Sequence, residues 1–94
     1  MSKKRRQPLD SSVEEQSTNP YLKETILEVV ENQLRENNPP ETRQTLERLL
    51  AAGHTRQAAV ELIGSAVVGE IWQMLQERKP FDHARYEAAL DKLS

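Results

Sequence analysis

The sequence predicts a small all-α domain of four helices. Three observations lead there. Apolar residues recur at helical spacing in four separate segments, no segment alternates with the two-residue period of a strand, and proline, glycine and capping residues fall between the four segments. A chain of 94 residues holds one small domain at most.

Residues 1–18 stand apart. Their apolar groups are Met1, Leu9 and Val13, too few to offset the entropy of ordering the segment, so a disordered N-terminal tail is expected. Lys3, Lys4, Arg5 and Arg6 precede Asp10, Glu14 and Glu15, which leaves the tail at +1. Residues 19–94, the expected helical domain, carry 9 basic and 12 acidic residues, or −3.

The first helix is expected over 20–36. Asn19 is a good N-cap, and Pro20 suits the first helical position. Leu22, Ile26, Val29, Val30 and Leu34 form its apolar stripe, with Glu24, Glu28, Glu31 and Arg35 opposite. Glu31 precedes Arg35 by four residues, the favourable order for a weak ion pair. Asn37-Asn38-Pro39-Pro40 ends the helix, because a residue before proline avoids the helical region.

The second helix is expected over 40–52, with Leu46, Leu49 and Leu50 as its stripe. Gly53 fits a left-handed C-terminal cap, and Thr55 an N-cap for the next helix. The third helix, 56–77, is expected to be central. Ala58, Ala59, Leu62, Ile63, Ala66, Val67, Ile71, Met74 and Leu75 make a wide stripe that Val60, Val68 and Trp72 extend around the cylinder. Gly64 and Gly69 each lower helix stability by about 1 kcal/mol relative to alanine, which predicts a close neighbour or a bend. The fourth helix, 83–93, starts after Asp82. Phe81 and Tyr86 bracket that start as a hydrophobic staple, and Ala89, Leu90 and Leu93 continue the period.

Several activities are excluded by what is missing. There is no cysteine, hence no disulfide and no thiolate chemistry. No nucleophile elbow, phosphate loop or dinucleotide fingerprint occurs. His54 reads as a solvated loop residue between helices, and His83 follows Asp82 at a helix start without an orienting partner. Glu61 and Glu70 lie on opposite sides of one helix, so they cannot share an ion. Glu24, Glu28 and Glu31 share a face that reads as a solvated charge stripe. Glu70, flanked by Ile71 and Trp72, is expected to cap or to pair with an arginine inside the fold. No catalytic residue, cofactor or metal site is expected. The basic start leads into polar residues rather than an apolar segment, and no uninterrupted apolar run approaches a membrane span. The expected setting is cytoplasmic, with no membrane.

Three functional classes remain. The first is a non-enzymatic protein-interaction or self-association module, a homodimer in particular, if the apolar girth of the third helix exceeds what three short helices cover; the alternative is that helices one, two and four together cover it. Val60, Val68 and Trp72 are its expected surface. The second is nucleic-acid binding through Lys3, Lys4, Arg5, Arg6 and Arg56, with the helix-turn-helix-like hairpin at 41–63. That hairpin outline is shared with ubiquitin-associated-type bundles, and the net charge of −2 argues against a broad polyanion surface. The third, a metal-dependent enzyme, has the fewest residues behind it.

The run Asn37-Asn38-Pro39-Pro40-Glu41-Thr42-Arg43-Gln44-Thr45-Leu46-Glu47-Arg48-Leu49 carries a resemblance. So do Gly53-His54-Thr55, Leu62-Ile63-Gly64, Glu70-Ile71-Trp72 and Pro80-Phe81-Asp82 with Tyr86. Together they resemble short bacterial helical proteins catalogued as a domain of unknown function. The resemblance spans about residues 20–93. It implies a cytosolic helical domain and carries no activity over. Related families of this outline are richer in histidine on the first and third helices, whereas here only His54 lies near.

Overall fold

In the computed structural model, which describes residues 20–94, the chain order is α1 (Pro20–Glu36), α2 (Pro40–Ala51), α3 (Arg56–Glu77) and α4 (His83–Asp91). No strand occurs among the described residues. The expected disordered tail at 1–18 and the expected cap at Asn19 lie outside them.

The turns follow from local chemistry. Asn37 adopts a left-handed conformation at φ 53°, and the Asn38 N–H returns to the Gln33 carbonyl, closing α1. Asparagine tolerates that region better than most residues. Gly53, at φ 107°, closes α2 in the same way, with the His54 N–H on the Leu49 carbonyl. The Thr55 hydroxyl accepts from the Ala58 N–H, and the Asp82 carboxylate from the Arg85 N–H, so both expected N-caps form. The end of α3 has no glycine cap, and Pro80 follows it. There Arg78 itself turns left-handed, and the Lys79 N–H bonds the Met74 carbonyl.

Two arginines complete the helix ends at a distance. Arg43 on α2 donates to the Leu34 carbonyl at the end of α1. Arg48 donates to the carbonyls of Leu90 and Leu93 at the end of α4. Each positive charge sits where a helix C-terminus presents unpaired carbonyls.

α3 packs against each of the other three helices, as its apolar girth predicts. α2 also touches all three, whereas α1 and α4 do not pack on one another. The core is Val30, Leu34, Leu49, Ala59, Val60, Ile63, Ala66, Val67, Tyr86 and Leu90. Thr42 and Thr45 are buried with it, so the inward face of α2 is Thr42, Thr45 and Leu49, and Leu50 is turned outward. A polar triangle spans the junction of α1, α2 and α4. The Gln33 side-chain oxygen accepts from the Thr42 hydroxyl at 2.8 Å and from the Tyr86 hydroxyl at 2.8 Å. Thr42 and Tyr86 lie 3.3 Å apart. Burial raises the Tyr86 phenol above its ordinary range, and the contacts to Thr42 and Gln33 partly offset that.

α1 runs antiparallel to α3, since Glu31 meets Arg56 while Ile26 and Leu27 meet the Gly64 site. A Cβ at Gly64 would stand 3.2 Å from the Ile26 side chain, so the glycine admits α1. A Cβ at Gly69 would meet nothing within 4 Å, so no neighbour accounts for that glycine.

By length and composition α3 is apolar enough to cross a membrane, with a mean hydropathy of 1.3 over its best window and 39% of that window buried in the fold. The uninterrupted apolar runs stay short, because Glu61 and Glu70 break them, whereas a window average absorbs both. A helix with neighbours on several sides needs the same apolar girth.

Replacing Gly69 by alanine is expected to stabilise the fold by about 1 kcal/mol in urea denaturation, through helix propensity alone. Replacing Gly64 by leucine is expected to destabilise it, because α1 must move away.

Candidate functional site

The second half of α3 carries two opposite faces. On one, Glu70 is buried at 3% exposure. Its Oε1 accepts from Arg85 Nε at 2.8 Å. Its Oε2 accepts from the Asp82 N–H at 2.9 Å and from Arg85 Nη2 at 3.0 Å. The Arg85 guanidinium also donates to Glu77 at 2.9 Å. Glu70 thus caps and pairs inside the fold, as its apolar flanks predict. The Arg85 hydrogen bonds hold the Glu70 carboxyl below its ordinary range, against the opposing effect of burial. The same contacts with Glu70 and Glu77 raise the Arg85 guanidinium. This arrangement fixes the start of α4 on α3. It also sets Phe81 edge-on to Tyr86, with ring centroids 5.4 Å apart, which forms the expected staple.

No described residue covers the opposite face. Val68, Ile71, Trp72 and Leu75 are all exposed, Trp72 at 59% and Leu75 at 70%. Their spacing of three and four places them on one arc of the helix. Ile71 and Leu75 are therefore surface groups, against the expectation that they belong to the core. Val60 is the converse correction: it is buried, at 4% exposure, beside Leu27 of α1. The reason is the reach of α1. Ile26 stands at Gly64, and Pro20 begins the helix six residues earlier, about 9 Å further along α3 at 1.5 Å per residue. α1 covers the Val60 side of α3, and only the six residues before Ile26 extend past its contact with Gly64.

The other sequence-selected residues are placed as follows. Arg56 makes a forked pair with Glu31, at 2.7 and 3.0 Å. That hydrogen-bonded pair lowers the Glu31 carboxyl and raises the Arg56 guanidinium. Glu31 therefore pairs across helices with Arg56 and not with Arg35, which bonds Asn32. Lys23 pairs with Glu61 at 3.3 Å, and Gln57 adds a weak bond to the same carboxylate. Glu61, Glu31 and Arg56 thus line the seam between α1 and α3. His54 is half-buried in the α2–α3 turn. Lys3, Lys4, Arg5 and Arg6 lie outside the described residues.

One cluster has no sequence signal. His83 Nε2 at the start of α4 lies 3.6 Å from Glu41 Oε1 at the start of α2. Contact with Glu87 lowers the Glu41 carboxyl, and the same contact with Glu41 raises Glu87. Glu41 Oε1 is buried without a hydrogen-bond partner. These groups belong to helices far apart in the chain, so spacing could not show them together. No group of three or more His, Cys, Asp or Glu side chains arranged to hold a metal occurs among the described residues.

The fold and site define a small four-helix domain with one apolar helix face left open. The model of a family described as a domain of unknown function (DUF1841) matches residues 2–92, and the chain belongs to that family. No curated protein and no solved structure gives a significant match.

Because Glu70 is depressed in the folded chain, its contribution to stability is present above the ordinary glutamate range. It is lost as pH falls through the depressed folded value. Glu70→Gln is expected to lower the urea midpoint near pH 7. The gap to the wild-type chain should then close as pH falls, in urea titrations at a series of pH values.

Proposed function

We propose that this domain is a non-enzymatic protein-interaction module that self-associates through the second half of α3. The observation that carries the reading is the clustering of Val68, Ile71, Trp72 and Leu75 on one exposed arc of the longest helix. Scattered apolar residues are normal on a surface, whereas a contiguous patch marks an association site. Tryptophan at its centre adds a large apolar area with few rotamers to order. The patch is one helix half in length, smaller than a standard stable interface, so the association is a weak one in the micromolar range.

Nucleic-acid binding through Lys3, Lys4, Arg5, Arg6 and the 41–63 hairpin has less support. Arg56, the cation of that hairpin singled out for phosphate contact, is already engaged by Glu31.

Sedimentation velocity across a concentration series tests the reading. The wild-type chain is expected to shift towards dimer at high micromolar concentration. Trp72→Glu and Leu75→Glu are each expected to keep it monomeric with an unchanged urea midpoint, since both residues are exposed in the fold. A strict monomer at high micromolar concentration overturns the proposal.

A further inference from the structure

The exposed residues of the second half of α3 keep a stricter order than an apolar patch requires. Ser65, Val68, Trp72 and Leu75 follow at intervals of three, four and three, and all are exposed. Glu61 lies four residues before Ser65, and Lys79 four after Leu75. That alternation is the seam of a helix that pairs lengthwise with another helix. The core-facing residues of α3, among them Ile63, Ala66, Val67 and Glu70, point elsewhere. Among the described residues no side chain covers Trp72 or Leu75.

The two ends of this seam differ in charge. The Glu61 side chain meets Lys23 at 3.3 Å and is still 36% exposed. At the other end Arg78 and Lys79 are exposed and form no ion pair among the described residues. A second copy laid parallel sets like charges together, whereas an antiparallel copy sets Lys79 against Glu61. The same antiparallel register sets Leu75 against Ser65 and Trp72 against Val68, a large side chain opposite a smaller one each time. All three pairings share one two-fold axis at the level of Glu70, as an isologous contact requires. Gly69 flanks the layer of Val68 and Trp72. A Cβ there would meet nothing within 4 Å, so the helix propensity lost at Gly69 has no return among the described residues. A neighbouring helix that brings an indole to this point uses that space.

We propose that two copies of the chain pair antiparallel through α3, about a two-fold axis at the level of residue 70. Trp72 of each copy sits against Val68 and Gly69 of the other, and Lys79 of each faces Glu61 of the other. Gly69 is then the residue that sets how closely the two helices approach. This rests on the reading of the α3 face as a self-association surface and adds its orientation and register.

The chain has no cysteine, so single introduced thiols report the orientation. Ser65 and Gln76 are both exposed. Under mild oxidation at high micromolar concentration, a mixture of S65C and Q76C chains is expected to form the mixed disulfide, because Gln76 adjoins Leu75, which faces Ser65. S65C alone is expected to stay reduced, since its two copies stand about 15 Å apart along the paired helices. G69A is expected to raise the urea midpoint and yet to weaken dimerisation about tenfold or more in sedimentation velocity. E61K and K79E are each expected to dimerise more weakly than the wild-type chain, and an equimolar mixture of the two to recover association. A dimer in which S65C cross-links with itself as readily as with Q76C overturns the antiparallel pairing and leaves self-association standing. So does a G69A chain that associates as tightly as the wild-type chain, or a mixture of E61K and K79E that associates no better than either alone. A strict monomer at every concentration overturns both readings and leaves the face to another occupant.

Discussion

The buried carboxylate of Glu70 is the constraint from which the second half of the molecule follows. A charge taken out of water must have both its oxygens hydrogen-bonded or paired. Here Arg85 and the Asp82 backbone do that from a single short stretch of chain. The turn after α3 is thereby brought back along α3, and α4 begins where its N-cap and staple can form. Tyr86 and Leu90 then reach the core. The same rotation of α3 that buries Glu70 points Val68, Trp72 and Leu75 away from the bundle. The stabilising contact and the open face are two sides of one helix.

The first half of the molecule is held differently. The backbones of α1 and α4 do not pack on one another, yet the Tyr86 hydroxyl reaches Gln33 directly and Thr42 of α2 completes the triangle. Arg43 and Arg48 bond the ends of helices remote in sequence. α2 is thus a bracket: its apolar contribution is modest, and its polar side chains fix the angles of its neighbours. Thr42 at an inward position serves that purpose where leucine would fill space without direction.

The proposed association uses the surface rather than a cleft. Three carboxylates with lowered ionisation pair with opposite charges in the fold: Glu70 with Arg85, Glu31 with Arg56 and Glu61 with Lys23. Structural ion pairs of this kind perturb ionisation as readily as catalytic ones do. Among the described residues nothing covers the apolar arc on α3, and it is the feature on which the proposed association stands.

The sequence by itself determined the four helices, their order and nearly all their ends. Those depend on local chemistry: the period of the apolar residues, proline at the starts, Thr55 and Asp82 as caps, and Gly53 at a positive φ. It also pointed to Glu70 as an internal partner, because a lone carboxylate among Ile71 and Trp72 has few other uses. The direction each apolar side chain faces was decided only by tertiary structure. Val60 and Trp72 widen the same stripe in the sequence, but α1 covers one and ends before the other. The exchange of Arg35 for Arg56 as the partner of Glu31 has the same origin. Helical period shows which residues share a face; only the length and placement of a neighbouring helix shows how much of that face is covered.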